Sequence, residues 1–480
     1  MPRLARCIEF YVDTEKDGIG HSRSAVPFYL LEQGAALSVS WGDGSSTVLV
    51  PSMYSTTNAD ASIHEYAVPG KYCITVEIEQ GRWSNLYVTS LDCPDAEFET
   101  SERFNPKMEY MRLFKKTLVG LPSPFPRILG TLQFFSTDPA EQECGHRMNG
   151  DMSCIFLHCT SLEFIADGLF KNNRNAMSFA YAFYGCRSLK SVPGNIFKGC
   201  SEVETFDYAF YGCSRLNTLP PELFQSAHKA KSFKGCFKDC GRLKFIPDGL
   251  FHGTPLAEIF SECFQNCTRL SCIPEGLFSR TPGALSFSRA FENCASILAI
   301  PECLFWNCRS ASFFKAVFSK TAIEFIPETL FSECPCAVTF AYAFAWCRSL
   351  KSVPNGLFAK CIHAESFFGC FCGCSSLADV GREAFASNLF CKTMNSLFYG
   401  CSSLKRIELD LPLRCLEGTH LMFEKDEDAE RTVYVPFGSA SGKVLKHKEE
   451  RLGIRVVEKP FLAATLKAFL HSIQRSLKKI

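Results

Sequence analysis

The sequence predicts a repeat solenoid of about ten 27-residue coils, preceded by a small all-β sandwich. A cysteine returns every 27 residues, and a pair of phenylalanines four residues apart returns at the same period. The first 92 residues lack this repeat and alternate polar with apolar side chains, as half-buried strands do. Each coil of such an array packs only on its neighbours. The sequence therefore predicts one long stack of coils, although a chain of this length would otherwise suggest about three domains.

The recurring cysteine marks one edge of each coil. It is followed by Leu or Ile three residues later, then by Ile or Val, and in most coils by Pro, as in Cys240-Gly-Arg-Leu243-Lys-Phe-Ile246-Pro247. Because proline lacks a backbone N–H, this pattern predicts a short strand that ends at the proline. Thr321 replaces the cysteine in the seventh slot and predicts a local irregularity. The cysteines are Cys159, Cys186, Cys213, Cys240, Cys267, Cys294, Cys347, Cys374 and Cys401.

The phenylalanine pair marks a second edge of the coil. Pairs such as Phe179/Phe183 have the spacing of one helical or 3₁₀ turn. A small residue, for example Ala176 or Ala230, stands three residues before the first Phe in most coils. Small and large side chains at fixed heights would let the two walls of a flattened coil pack closely.

Twenty-seven cysteines raise the question of disulfides. The number is odd, and the chain is much longer than the small secreted scaffolds that disulfides stabilise. Cysteines at one slot of every coil favour a stack of reduced, buried thiols, which behave as small hydrophobic side chains. Disulfides remain an alternative for the additional cysteines, such as Cys334 with Cys336, or Cys370 with Cys372 or Cys374.

Residues 5–92 contain the turn Trp41-Gly42-Asp43-Gly44 and the segment from His64 to Tyr72, which reads His-Glu-Tyr-Ala-Val-Pro-Gly-Lys-Tyr. Together they resemble the polycystic-kidney-disease (PKD) module. The resemblance implies a structural or binding sandwich, with no catalytic residue to carry over. Asp43 alone cannot supply the six to eight oxygens that calcium takes, so we expect it to cap the turn.

The coils and the segment Val433-Tyr434-Val-Pro436-Phe-Gly438-Ser resemble the BspA-like leucine-rich-repeat proteins, although the 27-residue period is longer than is common there. The resemblance covers residues 159–415 and the ending. It implies a surface-associated or secreted protein that binds a ligand in adhesion or host interaction. The leucine-rich-repeat-like solenoid would need caps, which we assign to the linker region 93–158 and to residues 416–458.

Residues 459–480 form an amphipathic pattern, with Phe461, Leu466, Phe469 and Ile473 at helical spacing and lysines and arginine on the remaining arc. A helix that caps the solenoid end is one interpretation. A helix that binds a partner or a membrane surface is the other, and it is the only membrane contact that the sequence predicts.

The net charge of +1 predicts no nucleic-acid partner. No apolar run is long enough for a membrane span, and the N-terminus lacks the apolar core of a signal peptide. The sequence contains no Walker A loop, Gly-x-Ser-x-Gly elbow, His-Glu-x-x-His helix or Rossmann fingerprint. Repeat packing already accounts for the cysteines that imitate zinc spacing. We therefore expect no enzyme activity, no cofactor and no metal. Location stays open between the cell surface or exterior, which the resemblance implies, and the cytoplasm.

The variable positions of the strand edge form the predicted binding face, where neighbouring coils place side chains next to one another. A protein or glycan ligand would be recognised there; the alternative interpretation is that these side chains only cover the sheet. An intracellular interaction scaffold is the alternative function. A second candidate surface is the turn with Tyr181, Tyr208 and Tyr342. The residues of the predicted face are Phe164, Lys190, Asn217, Lys244, Phe245, Glu324, Phe325, Lys351, Lys405 and Arg406.

Overall fold

The computed structural model describes residues 7–16, 22–26, 36–49, 63–80, 117–123, 150–409, 422–423, 431–437 and 439–459. The chain divides into two compact units, Met1–Ala311 (unit 1) and Ser312–Ile480 (unit 2). Of the helix predicted for residues 459–480, only Lys459 is described, and it lies at the end of a strand. Most of the predicted linker and cap of residues 93–158 lies outside the described residues.

Unit 1 begins with β-strands. The elements are β1 (Cys7–Asp13), a 3₁₀ turn (Thr14–Lys16), β2 (Arg23–Ala25), β3 (Ala36–Ser40), β4 (Ser46–Leu49), β5 (Ile63–Glu65), β6 (Lys71–Gln80), β7 (Leu118–Leu121) and β8 (Phe164–Ile165). They form a six-stranded sheet of strand order β4-β3-β6-β1-β7-β8 and a two-stranded antiparallel ribbon of β2 and β5. Neighbouring strands in the large sheet are antiparallel, except that β7 pairs in parallel with β8 and so joins the sheet to the first coil.

Alternation of side chains explains the sheet. Ile8, Phe10 and Val12 on β1 are buried, and Trp41 at the end of β3 is fully buried. The Nε1–H of Trp41 donates to the Thr47 hydroxyl at 2.9 Å, so its polar atom is satisfied inside the sheet region. The strands therefore lie where alternation predicts strands, while assignment to a PKD-like sandwich stays a prediction.

The coils of unit 1 are stacked by parallel β-bridges 27 residues apart. These bridges link residues just before the first Phe of each pair, and the backbone continues the contact, as where Phe183 N donates to Ala209 O at 2.8 Å. The same register in successive coils makes this part of unit 1 a solenoid of stacked coils. The bridges join Asp151, Ser178, Thr205, Ser232, Ile259 and Ser286 in succession.

The predicted strand at the Leu-x-x-Ile-Pro stretch needs correction. In the coils of unit 1, only β8 and an isolated bridge between Phe245 and Cys272 form β-structure there within the described residues. The stretch still makes single inter-coil hydrogen bonds, such as Asn217 N to Lys190 O at 3.1 Å. The proline that follows cannot donate to the next coil, so the ladder does not extend.

The predicted helical turn at the phenylalanine pair also needs correction. Ala182 N donates to Phe179 O at 3.1 Å, which closes a four-residue turn, but Tyr181 has a φ of 57° and Gly185 a φ of 69°. A residue in the left-handed region ends helical continuation. The coil therefore turns twice in tight succession and does not form a helix.

Stacked phenylalanines fill the core of unit 1 in three columns. One column contains Phe183 and Phe210, whose ring centroids are 5.3 Å apart, and a second contains Phe179 and Phe206 at 5.9 Å. The third is formed by the Leu-Phe phenylalanines of successive coils, which begin with Phe170 and its neighbour 6.0 Å away. These rings are almost fully buried, and they explain the high phenylalanine content.

Unit 2 contains the same coil. Phe344 and Phe371 stack at 5.5 Å, and parallel bridges link Phe313, Thr339, Ser366 and Thr393 in succession. The elements are β9 (Ser352–Val353), β10 (Asp379–Val380), β11 (Arg406–Glu408), β12 (Arg431–Pro436), α1 (Ala440–His447), α2 (Glu449–Leu452) and β13 (Ile454–Lys459). Parallel pairing of β9 with β10, of β11 with β12 and of β12 with β13 makes about three solenoid turns towards residue 459.

Among the described residues, no helix has both the length and the apolar character that crossing a membrane requires.

Candidate functional site

The recurring cysteines form a column of hydrogen-bonded thiols. The Sγ–H of Cys213 donates to the carbonyl oxygen of Phe183 at 3.2 Å, and the bond recurs in unit 2, where Cys374 donates to Phe344 O at 3.1 Å. Burial raises the pKa of these thiols, in the case of Cys401 to about 12. A thiol that stays protonated and buried is a poor nucleophile. The column is structural.

Every cysteine in the described part of the chain is a free thiol. Cys334, Cys370, Cys372 and Cys374 are buried, and Cys336 is exposed. The described residues contain no group of three or more His, Cys, Asp or Glu side chains arranged to hold a metal ion.

In unit 1, the predicted binding face is exposed at each position. Phe245 is 56% exposed and Phe164 is 42% exposed, while Lys190, Asn217 and Lys244 point to solvent. Hydrogen bonds between the coils hold the backbone beneath them, as where Ser271 N donates to Lys244 O at 3.1 Å. The face therefore presents side chains at positions fixed by the stacked coils.

Phe164 also borders a cleft of about 380 Å³ at the junction between the sheet and the first coil. Its ring lies 5.7 Å from that of Tyr11 and covers Gly120, where an added Cβ would lie 2.0 Å from the Phe164 ring. At the rim, Lys16 pairs with Glu163 at 2.8 Å and lowers the pKa of that carboxyl. Part of Phe164 is thus used in packing.

In unit 2, three of the predicted residues form a cluster. Lys351 makes a salt bridge with Glu324, and its ammonium group lies 5.2 Å from the centroid of the Phe325 ring. Phe325 is 58% exposed. Lys405 and Arg406 are exposed on later coils of the same unit. The cluster offers an aromatic ring whose neighbouring charges are already paired.

In unit 1, the side chains of the second candidate surface form an array of stacked aromatic rings. Tyr181 stacks on Tyr208 at 5.2 Å, and Tyr184 stacks on Tyr211 at 4.4 Å. Burial raises the pKa of Tyr208 to about 12, so its hydroxyl stays protonated. Because the rings cover each other's faces, mainly their edges remain available to a ligand.

A packing rule explains where these rings lie. An added Cβ on Gly235 would lie 2.3 Å from the Tyr208 ring. In unit 2, an added Cβ on Gly369 would lie 2.6 Å from the ring of Tyr342, the remaining residue of this candidate surface. In both cases the glycine stands 27 residues after the aromatic residue. Sequence reasoning missed these pairs, although the shared offset was a readable signal.

The turn at Asp43 is capped as the sequence predicts. The carboxylate accepts from the Ser45 N–H at 2.9 Å, and its other oxygen lies 2.7 Å from Nε2 of His64. His64 stacks on Trp41 with ring centroids 4.9 Å apart. Hydrogen bonds from Ser45 and His64 hold the pKa of Asp43 well below its usual range.

No protein-family model and no curated protein matches the chain. Among solved structures, the Toll–Spätzle complex of Drosophila aligns at 12% identity and a TM-score of 0.20, over 62% of this chain and 43% of that one. The TLR13–ssRNA13 complex aligns at 12% identity and a TM-score of 0.15, over 59% of this chain and 58% of that one. The chain thus spans about half of each, and TM-scores this low carry no argument about its partners.

Proposed function

We propose that this chain is a non-enzymatic binding protein that recognises a protein or glycan ligand through its strand-edge face. The observation that carries the proposal is the exposure of Phe245, at 56%, on a hydrogen-bonded coil beside Lys244. Exposed aromatic side chains next to charged ones are typical of protein recognition. A protein is therefore the favoured ligand, and Phe325 with Lys351 offers a second point of contact in unit 2.

The finer architecture is part of this proposal. A PKD-like sandwich in residues 5–92 precedes a BspA-like solenoid of about ten coils in residues 159–415, with the cap regions assigned from the sequence. The turn at Asp43 and the repeated cysteine pattern support these assignments. By resemblance, the protein is surface-associated or secreted and takes part in adhesion or host interaction.

An intracellular scaffold is the second candidate. The observation in its favour is that the described cysteines are free thiols, which persist best in a reducing compartment. The absence of a nucleic-acid ligand stays a prediction from the net charge of +1. Membrane contact through residues 459–480 stays a prediction too, because residues 460–480 lie outside the described part.

The proposed binding face is tested by asking which variants of the protein keep their bound partner when they are isolated. The protein is isolated from native cells as wild type, as Phe245→Ser and as the matched control Leu256→Ser, which alters a side chain in unit 1 that is 50% exposed but belongs to a different corner of the coil. We expect a partner that wild type and Leu256→Ser retain and Phe245→Ser loses. Equal retention by all three proteins would refute the proposed face.

Fractionation separates the two locations. Recovery in the envelope or the medium supports the adhesion role, whereas confinement to the cytosol supports the scaffold. Thiol counting on the same fractions provides an independent check, since extensive native disulfides would contradict the scaffold.

A further inference from the structure

Basic side chains follow the recurring cysteine in four successive coils of unit 1. The coils that begin at Cys186, Cys213, Cys240 and Cys267 contain no Asp or Glu between the cysteine and the proline seven residues later. They contain six basic residues, which we call the basic stripe. Its members are Arg187, Lys190, Arg215, Arg242, Lys244 and Arg269.

The charges of the basic stripe are exposed and largely uncompensated. All six side chains are solvent-exposed. Within the described residues, none of the four arginines makes an ion pair or a side-chain hydrogen bond. Lys190 contributes to lowering the pKa of Glu163, which Lys16 already neutralises. Uncompensated cations on one face favour an anionic partner.

The stripe is held on a regular backbone. Each of its arginines follows a cysteine whose thiol is bonded to the preceding coil, as Cys240 is to Phe210 O at 3.2 Å. The coil-to-coil step beside the stripe is 5.6 Å between the rings of Phe210 and Phe237. In an extended peptide, side chains on one side recur at about 6.7 Å. The side chains on one side of such a peptide are therefore spaced slightly more widely than the coils. Arginine side chains are long enough to make up this difference, so carboxylates at every second residue of the peptide can each contact the next coil.

Apolar contacts favour a protein over a nucleic acid. A surface for single-stranded nucleic acid stacks successive bases on several aromatic side chains. Between the cysteine and the proline of these four coils, Phe245 is the one aromatic residue, and the next coil presents Leu298, which is 62% exposed. An aliphatic side chain next to arginines suits a peptide that carries both apolar and acidic residues.

We infer that the basic stripe binds an extended acidic segment of the protein partner. The arginines form bidentate hydrogen bonds with its carboxylates, and Phe245 contacts an apolar side chain. This inference rests on the proposed function, since it names the chemistry of the partner for the same face. In unit 2, Arg348 and Lys351 repeat Arg187 and Lys190, but Lys351 forms a salt bridge with Glu324. The positions in unit 2 that match Arg242 and Arg269 are serines at Ser376 and Ser403, so the full stripe is present in unit 1.

The test measures fluorescence anisotropy of labelled probes with the full chain. The probes are a peptide of alternating Glu with two central Phe residues, its Gln analogue, and a 12-residue oligothymidylate. The stripe variant is Arg215→Ser/Arg242→Ser/Arg269→Ser. A charge-matched control, Lys171→Ser/Lys198→Ser/Lys229→Ser, removes exposed lysines from other positions of the coils in unit 1.

We expect wild type and the control to bind the Glu peptide, and the stripe variant to bind it at least tenfold more weakly. Binding should weaken between 50 and 200 mM salt, roughly as screening of exposed charges requires. The inference is overturned if the control loses as much affinity as the stripe variant, if the Gln analogue binds equally well, if the Glu peptide does not bind, or if the oligothymidylate binds more tightly through the same arginines.

Partner retention separates this inference from the proposed function. If the stripe variant keeps the native partner that Phe245→Ser loses, the face binds a protein but not through acidic groups. If Phe245→Ser keeps the partner as well, the proposed face itself is wrong.

Discussion

The carbonyl oxygen of Phe210 accepts two hydrogen bonds, one from the thiol of Cys240 in the next coil at 3.2 Å and one from the N–H of Cys213 in its own coil at 3.2 Å. The first bond stacks the coils and the second closes the turn. Because one oxygen serves both, closure of one coil and docking of the next are coupled at each step of unit 1.

Replacement of a recurring cysteine should destabilise the stack of coils. Cys240→Ala removes the bond to Phe210 and leaves a small cavity at a fully buried site. We expect a loss of about 1–3 kcal/mol in the free energy of local opening. Native-state hydrogen exchange of amides around Phe210 measures it.

Cys272→Ala is the matched control for this prediction, because Cys272 is exposed in the same unit. Its exchange should match that of wild type. Equal protection in Cys240→Ala and wild type would show that the thiol bond contributes nothing.

Thiol ionisation predicts loss of stability at alkaline pH. Burial raises the pKa of Cys347 from 9.0 to about 11 and that of Cys308 to about 12. A raised pKa in the folded state means that the contribution of these thiols to stability is constant below pH 9 and falls as the pH rises from there towards the folded values. Thermal midpoints from pH 7 to 11 measure this.

The same burial predicts which thiols react. At pH 8, an alkylating reagent should modify Cys272 and Cys336, which are exposed, and spare Cys347. Rapid alkylation of Cys347 in the native protein would contradict its burial in the column.

Glycine beneath an aromatic ring predicts a steric penalty. Gly235→Ala places a Cβ 2.3 Å from the Tyr208 ring, at a backbone φ of 57°. We expect a loss of about 1–3 kcal/mol, measured as a lower thermal midpoint. In Gly283→Ala the new Cβ meets no atom within 4 Å, so this control should resemble wild type.

A second change identifies the cause. Tyr208→Ala combined with Gly235→Ala should cost less than the sum of the two single changes, because the ring that the Cβ meets is gone. Simple additivity would attribute the loss to backbone conformation alone.

Asp43 predicts a pH-dependent turn. Hydrogen bonds from Ser45 and His64 depress its pKa, so their stabilising effect is present above the ordinary value of 3.8 and is lost as the pH falls through the lower folded value. Asp43→Asn should lower the midpoint at pH 6 by the equivalent of less than about 1 kcal/mol, since the group is on the surface. The exposed Asp248→Asn should have no effect, and a midpoint for Asp43→Asn equal to that of wild type would refute the capping role.

The sequence predicts the contents of the core but not the hydrogen-bonding edge. Cys240, Phe233 and Phe237 are buried where the period places them, because side-chain repeats report burial directly. The parallel β-bridges between coils instead run through Ser178 and Thr205. Backbone pairing depends on which N–H groups remain available, and prolines and residues in the left-handed conformation limit these.

The candidate face shows the same division. Phe245 and Lys244 are exposed as the period predicts, since both lie at variable positions between buried ones. The arginines of the basic stripe were missed because they lie nearer the cysteine, outside the positions assigned to a strand. Their lack of partners depends on neighbouring coils, which a single repeat does not reveal.

The Phe210 carbonyl oxygen, which accepts from both Cys213 and Cys240, affects how these cysteines become oxidised over time. A coil that opens exposes its own thiol and releases the thiol bonded to it from the next coil, so an oxidant meets two sulfhydryls at once. In the closed stack neither can react. Oxidation of these thiols leaves a covalent mark that outlasts a brief opening event, and the accumulated oxidation of Cys213 and Cys240 would record how often this part of the chain has opened.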